Sequence, residues 1–321
     1  MTTKMSPEII TLGEPLVEFS SATEGILCST SIFHQGFGGD TSNFAVSASR
    51  SGGSVGYITA VGADPFGDAL IHLWKKEKID VSAVQQMAQY KTGIYFIARR
   101  NGEHQFTYFR EDSAASRMTH KILPVDTIRK AKILHMSGIT QAISNSACQT
   151  NASALSIAKE SKTLVTYDPN FRTTLWDLDR ARNVVHDTVP EIDILFPSYD
   201  DAVLLTGLKT PEDITDFYLG LGAKTVVLKL GKKGTLLAHG KTVKYFPAFV
   251  VEQVDASGAG DTFCGAFAAE YTHNSPIEKC ICFAAAAAAL STTKIGCVDS
   301  IPLREETIAA MKQGWKFEKH H

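Results

Sequence analysis

The chain of 321 residues contains no stretch approaching the ~18 consecutive apolar residues that a membrane-spanning helix needs. Its alanine-rich run, Phe283 to Leu290, is far shorter and reads as a buried helix. The first residues, Met1 to Pro7, are polar and hold no hydrophobic signal-peptide core. Six cysteines (Cys28, Cys148, Cys264, Cys280, Cys282 and Cys297) are scattered without a CxxC pair, which points to free thiols in a reducing, cytoplasmic setting. The ten histidines form no HxxxH or HExxH spacing, and the terminal His320 and His321 carry no weight as native or tag residues. Charge of one sign is not in excess: the formal net charge is −2, and basic clusters such as Arg99-Arg100 are short. Nothing there would recruit nucleic acid or an anionic membrane. No GxxxxGK[ST] phosphate loop occurs, and no GxGxxG follows the first apolar run, so a dinucleotide dehydrogenase is a poor candidate.

What is present is a rhythm of short β-branched runs and helical stretches. Strand-like segments fall at Glu8–Leu12, Val55–Val61, Ile133–Met136, Thr163–Tyr167, Asp193–Phe196 and Thr225–Leu230. Helical stretches lie between them, among them Asn43–Ser51, Phe66–Glu77, Ala147–Ser161 and Pro211–Gly220. Such alternation specifies an α/β fold with a mostly parallel sheet and helices on both faces. Ligands of these folds sit beyond the carboxyl ends of the strands. Two regions break the rhythm. Residues 17–37 lack a helical period, and residues 92–110 place Asn101-Gly102 between two alternating runs, a strong hairpin signal. A small antiparallel sheet should therefore project from the body, as a substrate lid or a dimer contact. Near the C-terminus, Ser275 is expected to cap a helix with Pro276 first and Glu278 completing a capping box; that helix should run to about Thr293, with Gly296 beyond it.

The sharpest chemical segment is Val254-Asp255-Ala256-Ser257-Gly258-Ala259-Gly260-Asp261-Thr262-Phe263. Small residues at 258–260 leave backbone N–H groups bare where a helix begins, and with the helix dipole they make an anion site. Asp261 falls in the first turn beside it. A carboxylate next to phosphate is electrostatically unwelcome unless it accepts a proton from an attacking hydroxyl. An ordinary glycine-rich turn is the plain alternative. A second cluster, Gly36-Phe37-Gly38-Gly39-Asp40-Thr41-Ser42-Asn43, would let a sugar approach the backbone, with Asp40 and Asn43 as hydrogen-bonding groups; a helix start with Asp40 as N-cap is the plainer account. Lys229-Leu230-Gly231-Lys232-Lys233-Gly234 follows a strand, where it either meets nucleotide phosphates or makes a hairpin turn. Gly220-Leu221-Gly222-Ala223-Lys224-Thr225 follows a helix and reads as its C-cap. Tyr95, Tyr108 and Arg110 lie on the expected hairpin, where an arginine either meets a substrate carboxylate or is merely solvated.

Taken in order, these segments resemble the ribokinase-like (PfkB) carbohydrate kinases over nearly the whole chain. Gly13-Glu14 opens the likeness, Gly38-Gly39 through Asn43 is similar to the first signature, and Val61-Gly62-Ala63-Asp64-Pro65-Phe66-Gly67 to the GxDxFG element. Gly258-Ala259-Gly260-Asp261 is similar to the second signature. The resemblance implies a single Rossmann-like, three-layer domain over residues 1–321 with a β lid from about 14–38 and 90–112. It also implies Asp261 as the base, an anion hole from Gly258, Ala259 and Gly260, ATP with Mg2+ as the donor, and a homo-oligomer formed through the lid.

Finer stretches resemble the 2-keto-3-deoxygluconate kinases: Gly13-Glu14-Pro15-Leu16-Val17, residues 108–116, His135-Met136-Ser137-Gly138-Ile139-Thr140, and Asp168-Pro169-Asn170-Phe171-Arg172 with Leu175-Trp176. That likeness implies that Gly38, Gly39, Asn43, Tyr95, Tyr108, Arg110 and Arg172 face a sugar acid, and two arginines suit a carboxylate better than a neutral sugar. It further implies that Ser198, Lys229, Gly231 and Gly234 serve the nucleotide together with Gly258 and Gly260. The family's Asn-x-x-Glu metal motif stands here as Ser198-Tyr199-Asp200-Asp201, with Asp201 holding a magnesium-bound water. Ala256 replaces a common threonine, and Glu18 stands where many sugar kinases carry aspartate. Asp255, Gly296 and Ser300 occupy the place where relatives bind a monovalent cation such as K+. The expected function is ATP-dependent phosphorylation of the terminal hydroxyl of 2-keto-3-deoxygluconate. The alternatives are a fructokinase- or ribokinase-type enzyme for a neutral sugar or nucleoside, and a non-catalytic sugar- or nucleotide-binding regulator.

Overall fold

A computed structural model describes residues 6–100 and 103–313 of the chain. The β-branched runs become strands: β1 (Ile9–Leu12), β2 (Leu16–Glu24), β3 (Phe33–Gly38), β4 (Val55–Gly62), β5 (Val84–Met87), β6 (Ile94–Arg100) and β7 (Glu103–Phe109). They continue with β8 (Ile133–Ser137), β9 (Leu164–Asp168), β10 (Ile194–Leu195), β11 (Thr225–Lys229), β12 (Thr235–His239) and β13 (Thr242–Phe246). The helices are α1 (Asp40–Arg50), α2 (Pro65–Lys76), α3 (Val125–Lys130), α4 (Gly138–Ala142), α5 (Asn145–Ser161) and α6 (Leu178–Thr188). After them come α7 (Tyr199–Thr206), α8 (Pro211–Leu221), α9 (Ala259–Thr272), α10 (Ile277–Ser291) and α11 (Arg304–Lys312).

Nine strands form the main sheet in the order β13-β12-β11-β10-β9-β8-β1-β4-β5. From β11 to β5 all pairs run parallel, and β12 and β13 add an antiparallel edge. Parallel strands are buried on both faces, which is why they read as apolar runs rather than alternations. Ile10, Leu12, Leu134, Met136 and Val226 pack one core under α5, α6 and α8. Ile9, Val55, Tyr57, Ile133 and Val227 pack the other under α1, α2, α9 and α10.

Residues 17–37 and 92–110 form a second sheet of four strands in the order β3-β2-β6-β7. The β6–β7 hairpin is the expected one and β2–β3 is a second antiparallel pair, but the central β2–β6 pair runs parallel, because β6 arrives from across the main body rather than by a tight turn. The Asn101-Gly102 turn itself lies outside the described residues, while the strands on either side pair from Ile94↔Phe109 to Arg100↔Glu103.

Helix ends follow local chemistry with three corrections. Asp64 caps α2, accepting from Gly67 N–H at 2.9 Å with Pro65 in the first turn, and Gly222 (φ 119°) ends α8 as anticipated. Ser275 does not cap α10. Pro276 holds that position without a side-chain bond, because the Ser275 hydroxyl donates to the buried Glu270 at 2.6 Å. The helix ends at Ser291, two residues short of expectation. Asp40 is likewise the first residue of α1 rather than its cap, a place taken by Gly39.

Candidate active site

The carboxyl ends of β1, β8, β9 and β11 converge on the start of α9. Gly258 is that helix's N-cap at φ 72°, a left-handed conformation that side chains disfavour. With Ala259 and Gly260 it leaves the first amides of the helix uncovered by side chains, and Asp261 stands in the first turn. One Asp261 oxygen accepts from Asn43 Nδ2 at 2.9 Å, and the other faces Asn170 Nδ2 at 3.5 Å. Burial raises the Asp261 pKa to about 7, helped by the nearby Asp40 charge and opposed by the Asn43 hydrogen bond. A base of that strength, partly open to solvent, suits proton abstraction near neutral pH.

Behind Asp261, Lys229 at the end of β11 is ion-paired to Asp168 at the end of β9, both largely buried. Its ammonium would stand 3.4 Å from a Cβ on Gly260, so a positive charge adjoins the bare amides. Burial alone would lower the Lys229 pKa; the Asp168 charge reverses this and the net shift is upward, leaving a permanent cation. Cys264 fills the remaining space, with its sulfur 3.8 Å from Lys229 Nζ and 3.6 Å from Asp168. Burial holds that thiol protonated.

A cavity of about 530 Å³ opens from this point. Lys229, Gly231, Gly234 and Gly260 line its polar end, while Phe249, Val250, Ala285 and Ala289 line its apolar walls. The loop Gly231–Gly234 is thus both a turn joining β11 to β12 and a wall of the cavity. The alanines of α10 leave room for a flat group beside the amide cluster. Ser198 lies behind this end, capping α7 by accepting from Asp201 N–H at 3.2 Å. The Asp201 carboxylate accepts from Phe171 N–H at 3.2 Å, and burial raises its pKa against the opposing Arg172 charge.

On the other side of Asp261 lies the four-stranded sheet. The Tyr95 hydroxyl donates to Glu18 and fills the space where a Gly38 side chain would project. At Gly39, φ 93°, an added Cβ would run into the Glu14 carbonyl oxygen. These glycines admit the protein's own groups closely. Tyr108 stacks on Tyr95 with ring centroids 5.6 Å apart, and the Arg110 guanidinium sits 5.5 Å from the Tyr108 ring centre. Arg110 differs from the expectation of a cation open to a substrate carboxylate. It is ion-paired to Glu14, which is fully buried and also accepts from Ser113 Oγ at 2.7 Å. Without Arg110 a buried Glu14 charge would be unpaired, so the pairing is a structural necessity. Arg110 Nε is nonetheless buried without a partner. Arg172 is exposed, donates to the Phe171 carbonyl at 3.0 Å, and has no carboxylate within ion-pair distance among the described residues. The phenol of Tyr108 feels both guanidinium charges: burial raises its pKa and they oppose the shift.

Farther out, both oxygens of Asp255 accept backbone N–H groups, from Ser257 at 2.9 Å and Gly296 at 3.3 Å, and Ser300 Oγ is buried without a partner. Among the described residues no cluster of three or more His, Cys, Asp or Glu side chains is gathered for a metal, and no helix is long and apolar enough to cross a membrane. Sequence reasoning gave no role to Glu14, Ser137, Asp168 or Asn170. The available signal was position: Ser137 and Asp168 end parallel strands at the face where ligands bind.

The fold and the sites converging on α9 are those of a sugar-hydroxyl phosphotransferase, and comparison with known proteins agrees. Residues 6–304 match the pfkB family carbohydrate kinases, and the chain belongs to that family. It is 32% identical to the 2-dehydro-3-deoxygluconokinase of Bacillus subtilis, covering 94% of each protein. It is also 30% identical to fructokinase-1 of Oryza sativa, covering 95% of this chain and 97% of that one. A crystal structure of a protein described as ribokinase II from E. coli, in complex with ATP and Mg2+, superposes with a TM-score of 0.90 at 25% identity, over 96% of this chain and 99% of that one.

Proposed function

We propose that the protein transfers the γ-phosphoryl group of ATP to the terminal hydroxyl of 2-keto-3-deoxygluconate, giving the 6-phosphate and ADP. The observation that carries the phosphoryl-transfer chemistry is Asp261, raised toward neutrality beside bare helix-start amides and the fixed Lys229 cation. Asp261 takes the hydroxyl proton while the oxygen attacks phosphorus in line. The Gly258–Gly260 amides and Lys229 balance charge on the moving group. The 530 Å³ cavity, polar at the amides and apolar beyond, supports nucleotide binding there. Magnesium fits as an ion carried largely by phosphate oxygens and water, because the described residues offer Asp201 rather than a carboxylate cage. When bound it neutralises phosphate charge. Asp255, Gly296 and the unpartnered Ser300 hydroxyl are the groups that would meet a monovalent cation. The four-stranded sheet would close over the sugar, and its exposed Ile32, Phe106 and Phe109 suit a second copy of the chain.

Arg172, a cation without a carboxylate partner among the described residues, supports the keto acid, as does the B. subtilis relative. The reading of a neutral-sugar kinase draws on a different observation: Arg110 is already neutralised by Glu14, so one of the two expected positive charges is spent. The test is ADP formation with the keto acid, fructose and ribose as acceptors. The highest kcat/KM is expected on the keto acid, and higher turnover on a neutral sugar would retire that assignment. Asp261→Asn should lower kcat by roughly 10²–10⁴-fold with nucleotide binding retained. No phosphorylation of any sugar by the unaltered protein would leave a binding role instead.

A further inference from the structure

Asp40 is buried behind the base and takes no part in the proton transfer described above. One of its oxygens accepts from Thr41 N–H at 2.8 Å; the other accepts from the Ser137 hydroxyl and from Asn170 Nδ2 at 3.3 Å. Every partner is a donor, so the site is built for an ionised carboxylate. The same Asn170 nitrogen lies 3.5 Å from Asp261, so one amide is shared between two carboxylates, holding their facing oxygens within about 7 Å of each other. Asn170 makes this bridge from a left-handed backbone, φ 38°, directly after Asp168 and Pro169. Nothing in folding a strand end requires an asparagine in that conformation. Its amide, aimed at both acids, gives the conformation a purpose.

We propose that Asp40 is a positioning residue for the reaction: through the shared Asn170 amide it orients Asp261 and keeps it ready to take the substrate proton. The proposal rests on Asp261 being the base. The other groups that bear on Asp261 are Asp168 from β9, Lys229 from β11, Cys264 one turn along α9, and Cys297 beside Gly258. Of these Lys229 is the cation, and it is already bound to Asp168. The thiols are buried and neutral. Asp40 has no cation bonded to it; burial raises its pKa, opposed by the Ser137 and Thr41 donors and by the more distant Arg110 charge, and in its ionised form it is the anion that acts on Asp261. Two like charges about 7 Å apart at an effective dielectric of about 20, partly offset by Lys229, shift one another by roughly one pH unit.

The experiment is the pH profile of kcat/KM for ADP formation in the wild type, Asp40→Asn, Asp40→Glu, Asn170→Gly and Asp261→Asn. Removing the Asp40 charge should move the acid limb down by roughly one pH unit. Asp40→Glu should return it toward the wild-type position. Asn170→Gly suits φ 38° but removes the shared amide, so it should move the limb up. A purely structural Asp40 would lower kcat in Asp40→Asn with the limb unmoved, and that result overturns the proposal; the Asn170→Gly shift reads the amide's own contact with Asp261. If Asp40→Asn does not fold, Ser137→Ala, which takes a donor from Asp40 alone of the two acids, decides: a limb moved down supports, an unmoved limb refutes. Asp261→Asn separates the two levels, because full activity there removes the base itself, whereas lost activity with an unmoved Asp40→Asn limb removes only the role of Asp40.

Discussion

Lys229→Met is the perturbation whose consequences separate folding from chemistry most cleanly. Methionine has nearly the length of lysine without its charge, so packing changes little and the Asp168 carboxylate, buried at the end of β9, loses its counter-ion. What remains to Asp168 is the Asn170 N–H at 3.1 Å and the weak thiol donor of Cys264 at 3.6 Å. Breaking a buried pair from one side costs about 3–5 kcal/mol. For a chain of this size that lowers Tm by roughly 5–15 °C. Adding Asp168→Asn removes the stranded charge and keeps an acceptor for the Asn170 N–H. The double variant should return to within about 1–2 kcal/mol of the wild type. Activity should not return, since the cation beside Gly260 and the cavity is still missing. Scanning calorimetry and ADP-coupled assays on the wild type, the single variants and the double variant make the measurement. A single variant that melts with the wild type, or a double variant no more stable than Lys229→Met, would refute a buried, mutually dependent pair. A double variant with full kcat would refute the role of Lys229 at the phosphates.

Two further outcomes are expected. His135, buried and stacked on Phe44 at 3.8 Å, has its pKa lowered to about 3 by burial and by Lys229. The unfolded imidazole binds its proton near pH 6.5, so stability contributed by the neutral ring is present above that pH and lost as pH falls toward 3. The loss is roughly 3 kcal/mol at pH 4, and His135→Gln should flatten the urea-unfolding profile between pH 6.5 and 4. Arg172→Met should raise KM for the keto acid by roughly tenfold or more while leaving a neutral sugar nearly unaffected; equal effects on both acceptors would show that Arg172 does not read a carboxylate.

The sequence by itself determined the layer order and the place of the candidate site. Apolar runs such as Ile133–Met136 are strands wherever they lie, because both faces are covered, and Gly258-Ala259-Gly260-Asp261 ahead of an apolar run marks a helix start with bare amides through backbone properties alone. Pairings between distant residues were decided only in three dimensions. Arg110 and Glu14 lie 96 positions apart, and their ion pair turned an expected substrate arginine into a neutralised one. Ser275 looked like a cap until the buried Glu270 carboxylate claimed its hydroxyl. Asp40, Ser137, Asn170 and Asp261 come from four separate segments and become one network only where β8, β9, α1 and α9 meet. Local patterns report backbone conformation and burial, which depend on near neighbours. The partner of a buried charge depends on which strand ends the sheet order brings together, and that order was set by packing across the whole fold.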